Sequence, residues 1–442
     1  MNKKIFGTDG IRSLSSDKIF SKLSLSALSK SIINNKKNFK IIIGRDTRES
    51  SKKIEKVFVN ALKDNGANVF KAGLVPTPTI SYLVEELNCD LGVVISASHN
   101  PYQYNGIKFF NKKGEKLTDF EEVRIQNNFF KFINKNLKQN KKGKINIINN
   151  SLMIYKNKFD KIIKKNNFPK KLKVVFDCAN GSSYRIAKHI FSKIKIKPIY
   201  IKDKPNGKNI NYKCGSLYPQ SLVREVKKKS ADFGISFDGD GDRIVCCDEN
   251  GKLIDGDKIL ACLTEYFIYK KDLNINSVVG TLMSNQGFEN FIKKVGLKFY
   301  RAKVGDKFVY ELMKKKKSRL GGEQSGHIII SKFGPSGDGI LIALYLIKII
   351  SEYNKQASKI FNIYDSYFQV QKNIRFKDSK YQKNIRINKL INAYNNSSNK
   401  DVRFLIRFSG TEPLIRILVE GKKRSVINKL SREIENKLKK IS

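Results

Sequence analysis

None of the six cysteines, at 89, 178, 214, 246, 247 and 262, forms a Cys-x-x-Cys pair or stands beside a histidine at metal-ligand spacing. This excludes a disulfide scaffold and predicts a reduced, cytoplasmic protein. Apolar runs are also short. The N-terminus, MNKKIFGTDG, lacks an apolar h-region, and the most apolar stretch, Gly339 to Ile350, is broken by Lys348, so neither a signal peptide nor a membrane span is expected. No GxxxxGK[ST] and no GxGxxG occurs, which disfavours nucleotide binding, and no G-x-S-x-G elbow marks a hydrolase. Acidic residues are scarce: 40 against 87 basic ones give a formal charge of +47. An anionic partner must be considered, whether nucleic acid, a membrane surface or a phosphorylated metabolite. The lysines are spread along the whole chain in short clusters such as Lys314 to Lys317, which reads as solvated surface and not as a binding stripe.

At 442 residues the chain is long enough for two to four domains. LSALSKSIINN, FKIIIGRD, KKIEKVFVNALKDNG and DLGVVISA alternate amphipathic helix and apolar strand, the mark of a parallel sheet covered on both faces. A polar Lys/Asn stretch from Asn134 to Asn150 reads as a linker with a short strand at most. The rhythm restarts at LKVVFDCANG and again at DKILACLTEYFIY. In the last seventy or so residues YFQVQKNIRF, VRFLIRF and LIRILVE look like antiparallel strands, and SVINKLSREIENKLKKI like a closing amphipathic helix. The fold class expected is three similar α/β domains in series, 1–150, 151–254 and 255–366, followed by a C-terminal α+β domain, 367–442.

Several loops carry chemistry. In VVISASHNP an apolar strand runs into Ser96, Ser98, His99 and Asn100, at the strand end where open α/β sheets bind ligands. On an extended chain Ser98 and His99 point apart, so a simple Ser–His hydrolase pair is not expected. Asp238-Gly-Asp-Gly-Asp242-Arg243 sits between two strands and offers three hard oxygen donors, which suits Mg²⁺. A calcium loop ending at Glu249 is the rival, but its sixth position is Arg243 where a glycine is needed. Three carboxylates also need more cation than Arg243 supplies. RLGGEQSGHIII brings Glu323, Ser325 and His327 together, the mixture that sugar hydroxyls need. Near the end, Arg407, Ser409, Gly410, Thr411 and Arg416 surround a turn between strands and make a phosphate nest. GTDGIR, with Arg12, and GRDTRES, with Arg45 and Arg48, read equally well as turn chemistry.

Taken in order, GTDGIR, SASHNP, NGIKFF, DGDGDR, GGEQSGH and RFSGTEP resemble the α-D-phosphohexomutase superfamily over nearly the whole chain. The resemblance implies four domains around a central cleft and an intramolecular phosphotransferase working through a phosphoserine at Ser98. One Mg²⁺ is implied on Asp238, Asp240 and Asp242 with a phosphoserine oxygen. Glu323 and Ser325 match the sugar-hydroxyl loop, with Val304, Gly305 and Asp306 flanking the sugar. Arg407, Ser409, Gly410 and Thr411 match the loop for the distal phosphate. Lys108 and His327 align with groups considered for acid/base work, and Arg12 and Arg243 with positive groups near the transferring phosphate. The wording GGEQSGH, with Gln324, points to an amino sugar: glucosamine 6-phosphate and glucosamine 1-phosphate interconverted through a 1,6-bisphosphate, for UDP-N-acetylglucosamine and cell-wall precursor synthesis. Mannose or glucose phosphates are the nearest alternative substrates. A nucleic-acid-binding protein on an inactive scaffold is the alternative of another class. The expected partner is a sugar phosphate with no dedicated nucleic acid or membrane, and a homodimer is compatible with the pattern. Departures from the usual motifs are Ser13, Pro335, Ser336 and Phe408; Ser13 gives up any cheap positive φ, and Phe408 is placed to reshape the nest.

Overall fold

Ile41, Ile42 and Ile43 are fully buried in one strand, and the same alternation of apolar strand and covering helix builds most of the chain. The computed structural model describes all residues except 1–3, 8, 35, 136–141, 166–167, 170, 272, 377–378, 398–400, 410–412 and 442. The first sheet holds β1 (Ile11–Leu14), β2 (Lys40–Arg45), β3 (Asn68–Leu74), β4 (Leu91–Ile95), β5 (Tyr104–Asn111) and β6 (Ile145–Ile147), in the order β1-β5-β4-β2-β3-β6. β6, from the stretch expected to be a linker, pairs parallel with β3 at the sheet edge. The sheet is mixed where a parallel one was expected, because β5 runs against both β1 and β4. Only residues 96–103 separate β4 from β5, too few for the helical crossover that a parallel return needs.

The second sheet contains β7 (Leu172–Asp177), β8 (Ile196–Ile201), β9 (Phe233–Phe237), β10 (Ile244–Asp248) and β11 (Leu253–Ile254), in the order β11-β10-β9-β7-β8. β12 (Ser277–Thr281), β13 (Lys298–Ala302), β14 (Leu320–Gly322) and β15 (Ile328–Ile330) form the third, in the order β13-β12-β14-β15. Each repeats the device of the first sheet: parallel strands, then one short antiparallel return, β9 to β10 and β14 to β15. The fourth sheet is antiparallel throughout, β16 (Phe368–Arg375), β17 (Val402–Phe408) and β18 (Leu414–Gly421), with the helices Ile385–Asn395 and Arg424–Ile441 packed on it. Three candidate loops therefore occupy the antiparallel turns 96–103, 238–243 and 323–327, and the fourth lies between the antiparallel strands β17 and β18.

The first and fourth units have cores of their own, whereas one continuous core runs from Tyr155 to Phe361 through the second and third. At its centre lies the helix Gly339–Tyr353, the apolar stretch singled out above, buried nearly all round. Asp338 caps it by accepting from Leu341 N–H at 3.0 Å and also accepts from Tyr155 Oη at 2.8 Å, tying the helix to the start of the second unit. Lys348 is tolerated inside because its ammonium lies over the Tyr266 ring and 3.7 Å from Glu352. Among the described residues no helix is long and apolar enough to cross a membrane. All six cysteines are buried free thiols, and burial pushes Cys89 up to about 11.

Candidate active site

The turn after β4 is held from below. Ser96 Oγ donates to the buried Asp46 carboxylate at 2.6 Å and accepts the Ser98 N–H at 2.9 Å. Ser98 is 1% exposed and left-handed, at φ 51°, a conformation uncommon outside glycine. Its hydroxyl donates to Asp238 Oδ2 at 2.6 Å, so the turns of the first and second units meet at this serine. The left-handed backbone also brings Ser98 Oγ within 3.2 Å of His99 Nδ1, where an extended chain was expected to separate them. No hydrolase pair results. Burial, with Arg243 and Arg12 alongside, pushes His99 down to about 3, and among the described residues no carboxylate orients its ring.

Asp238, Asp240 and Asp242 are all buried, with one oxygen of each within 4.8 Å of the others. Gly239 permits the close approach: a Cβ there would stand 2.7 Å from the Ser98 carbonyl oxygen. Asp240 Oδ2 accepts from Thr77 Oγ1 at 2.5 Å and from Lys108 Nζ at 2.8 Å, and Asp242 Oδ2 from Lys108 Nζ at 2.9 Å. The extra cation that the aspartates need is therefore Lys108, with Arg243 beside them. Burial and the charges of Asp242 and Asp240 hold Asp238 well above the usual carboxyl range. Asp242 stays well below it, because Lys108, His327 and Arg243 outweigh its burial. The Oδ1 atoms of Asp240 and Asp242 are buried without a hydrogen-bond partner. Three converging hard oxygen donors, with two carboxylate oxygens left without a hydrogen-bond partner, fit a Mg²⁺ ion. The calcium-loop alternative fails, since strands flank the loop and Glu249 is engaged elsewhere, accepting the Ser358 N–H at 3.0 Å.

A closed circuit of charges joins three units. Asp242 is paired with Lys108, Lys108 lies 3.1 Å from Asp9, and Lys116 pairs with both Asp9 and Asp306. Asp306 lies 3.2 Å from His327 Nε2, and His327 Nδ1 3.7 Å from Asp242. Against the effect of its burial, Asp306 and Asp242 raise the pKa of His327. In the neutral ring the Gly337 N–H, donating to Nε2 at 2.9 Å, puts the lone pair there and the proton on Nδ1, on the side of Asp242; in the charged ring Nε2 also carries a proton, on the side of Asp306. Lys108 is held firmly as an ammonium, since Asp240, Asp242 and Asp9 outweigh its burial.

Glu323 joins the third unit's two loops, accepting the Gly305 N–H at 2.8 Å and the Ser325 hydroxyl at 3.2 Å. Gly305 has φ 127°, which a residue with a side chain rarely adopts. Val304, half-exposed, shares a cavity of about 200 Å³ with Arg407, Arg416 and Lys372 of the fourth unit. Arg407 and Arg416 are direct cross-strand partners, and burial together with this like charge lowers Arg407 from its ordinary value. Two guanidiniums set opposite each other favour an anion between them. Arg407 makes no hydrogen bond or ion pair with the Ser98 turn or the aspartates, and Gly410 and Thr411 lie outside the described residues. Ser409 is buried, its N–H donating to the Leu414 carbonyl at 2.9 Å.

The family models for phosphoglucomutase/phosphomannomutase match all four units: alpha/beta/alpha domain I over residues 3–135, domain II over 154–251, domain III over 255–367 and the C-terminal domain over 372–437. The chain belongs to this family. The phosphoglucosamine mutase of Campylobacter hominis is 40% identical to this phosphohexomutase over 98% of both chains, and that of Wolinella succinogenes 40% over 96% of both. Among solved structures, a phosphoglucomutase/phosphomannomutase family protein from Burkholderia thailandensis superposes with a TM-score of 0.84 at 18% identity, covering 99% of this chain and 97% of that one. The Paramecium phosphoglucomutase parafusin, in its open form, gives 0.82 at 17%, covering 100% and 96%. These two likenesses establish the fold.

Motif reading found the residues that touch one another in this phosphohexomutase and missed those that hold them. Arg48, set aside as turn chemistry, is buried behind Ser98. Asp9 lies inside the quoted GTDGIR, whereas Thr77, Lys116 and Asn211 carried no sequence signal. Two departures have plain local settings. Ser13 sits in regular β1 with no positive φ, and Phe408 packs against Tyr381 in the fourth unit's core.

Proposed function

We propose that the chain is a phosphoglucosamine mutase that interconverts glucosamine 6-phosphate and glucosamine 1-phosphate through a phosphoryl group carried on Ser98. The 2.6 Å hydrogen bond from Ser98 Oγ to Asp238 carries this reading, because it sets a buried nucleophile against a carboxylate cluster suited to a divalent cation. The relatives that match over nearly the full chain bear this name, and the sugar loop has the GGEQSGH wording.

In the forward direction the Oγ–P bond of phosphorylated Ser98 breaks as O1 of glucosamine 6-phosphate forms its bond to phosphorus. The proton that the 1-hydroxyl loses is matched by the one Ser98 Oγ gains as it leaves; in the second half-reaction Ser98 Oγ gives up a proton as it takes back the 6-phosphoryl group of the 1,6-bisphosphate, and the departing 6-oxygen gains one. Asp238, Asp240 and Asp242, with an oxygen of the phosphoserine, would hold Mg²⁺, which supplies positive charge to the transferring group. Lys108, held as an ammonium by Asp240, Asp242 and Asp9, adds positive charge beside the transferring group, and with His327 it is one of the two groups available for acid/base work. Arg12, 3.4 Å from Asn100 Oδ1 at the serine turn, and Arg243, whose buried Nε lies 3.9 Å from Asp242 without a hydrogen bond, are placed to receive phosphoryl oxygens. His327 retains a proton on Nδ1 for acid/base exchange. Glu323 and Ser325, flanked by Val304, Gly305 and Asp306, take the sugar hydroxyls. Arg407, Ser409, Gly410 and Thr411 take whichever phosphate is not reacting, so the bisphosphate has to turn over between the two half-reactions. Division of the chain near 150, 254 and 366 gives each unit one of these tasks.

Intact mass before and after phosphatase, together with mutase rates on glucosamine 6-phosphate and mannose 6-phosphate, tests this. We expect one phosphoryl group lost on phosphatase treatment, none in Ser98→Ala, and a clear preference for the amino sugar. Full activity in Ser98→Ala would end the proposal; equal rates on the two sugars would end its substrate assignment.

A further inference from the structure

We propose that Arg48 and Asn211 are the positioning residues that hold Ser98 in its left-handed, transfer-ready conformation. The inference rests on the reading of Ser98 as phosphoryl carrier. Arg48 is 1% exposed and unusually placed for an arginine. Its guanidinium pairs with the buried Asp46 and donates through Nη2 to two carbonyls of the serine turn, Ser98 O at 3.1 Å and Asn100 O at 2.6 Å. Asn211, from the second unit, donates to the same two carbonyls, at 2.8 and 3.0 Å. Each carbonyl thus has one donor from its own unit and one from the next. The Ser98 N–H is fixed as well, through Ser96 Oγ to the same Asp46 that holds Arg48. Both backbone polar groups of Ser98 are therefore fastened to one buried carboxylate and its guanidinium.

A turn needs no such frame merely to fold. Ser98 sits at φ 51°, a backbone state that a serine keeps only when its surroundings over-determine it. That conformation sends Oγ to Asp238, and a relaxed serine would carry its phosphoryl group away from the in-line position. Lysine cannot replace Arg48, because one ammonium lacks the planar fork that reaches a carboxylate and two carbonyls together. Asn211 adds a dependence between units, since the serine is fully framed only when the second unit is docked on the first.

Arg48→Lys and Asn211→Ala in the full chain test this, each assayed for mutase kinetics and for the rate at which glucose 1,6-bisphosphate phosphorylates the dephosphorylated protein, followed by intact mass. We expect kcat and the phosphorylation rate per folded molecule to fall together by about a hundredfold in Arg48→Lys, with KM for the sugar phosphate changed by less than about twofold. Asn211→Ala should show a smaller loss of the same kind, because Arg48 still serves both carbonyls; if Arg48→Lys does not fold, this variant decides. A residue that only stabilised the fold would lower yield or the urea midpoint and leave kcat per folded molecule at the parent value, and that result in the folded variants would overturn the inference. If the parent protein takes up no phosphoryl group, the active-site reading and this inference fall together. If the parent is labelled and the variants label equally fast, only this inference falls.

Discussion

The Lys108 ammonium lies 2.8 Å from Asp240 and 2.9 Å from Asp242, so a lysine of the first unit completes the carboxylate loop of the second. It neutralises part of the cluster while leaving the two orphaned Oδ1 atoms for a metal.

Substituting Lys108→Met removes the cation and leaves buried carboxylates facing one another. In the presence of a chelator the variant should lose about 3–5 kcal/mol of stability, the cost of breaking a buried pair from one side. Added Mg²⁺ should restore part of the loss. Urea midpoints of parent and variant, with and without Mg²⁺, check this; an unchanged midpoint in chelator would contradict the pairing.

Thr77 donates its hydroxyl to Asp240 at 2.5 Å, and its N–H to the Asp240 carbonyl at 2.8 Å. Thr77→Val keeps the shape and the backbone bond but frees the carboxylate to turn. The Mg²⁺ concentration giving half-maximal mutase activity should rise about 10–100-fold, as it does when groups orienting metal ligands are lost. An unaltered metal requirement would show that Thr77 does not orient Asp240.

A Cβ on Gly337 would stand 2.5 Å from His327 Nε2 and 2.6 Å from the Asp242 carbonyl. Gly337→Ala must therefore displace the imidazole or the metal loop, at about 1–3 kcal/mol of stability and with a marked fall in kcat. Thermal melts paired with mutase assays test both parts. A variant with parent-like rates would mean that the His327 position does not matter to turnover.

Asp257 is fully buried beside Asp255, with one oxygen accepting the Asn285 N–H at 2.8 Å and the other unpartnered. Burial first, and the Asp255 charge second, push it up from 3.8 to about 8. Between those values the native carboxyl keeps a proton that the unfolded chain has released. Its stabilising contribution is thus complete below about pH 4 and drains away as pH rises toward 8, at up to about 1.36 kcal/mol per unit. Asp257→Asn stays neutral, so its urea midpoint should gain on that of the parent steadily from pH 5 to pH 8. Parallel curves would place the ordinary carboxyl value on Asp257.

The chemistry of this site was legible from sequence because its loops are short and each chemical group sits inside its motif: Ser98 in SASHNP, the aspartates in DGDGDR, Glu323 and His327 in GGEQSGH. The alternating rhythm gave the three α/β units, and strand alternation gave the antiparallel fourth. Hidden from it was anything set by distance in space. The reversal of β5 follows from a connection too short for a helix, yet hydropathy looks the same for either strand direction. The left-handed backbone of Ser98 comes from Arg48, Asn211 and Asp46, none of them adjacent to it in sequence. Lys116, bridged to Phe110 just after β5, looks like many others in a lysine-rich chain, and only the fold sets it between Asp9 and Asp306.

The charge circuit also has an order in time. Asp9, Lys108 and Lys116 are synthesised before the three aspartates, and Asp306 and His327 after them. A nascent chain that has reached the aspartate loop already possesses the lysine that neutralises it, but the core shared by the second and third units stays open until the helix Gly339–Tyr353 has been made. Cut out and expressed alone, the second unit would carry its carboxylates without Lys108 and its part of that core uncovered, so a fragment of this chain has to keep the first three units together.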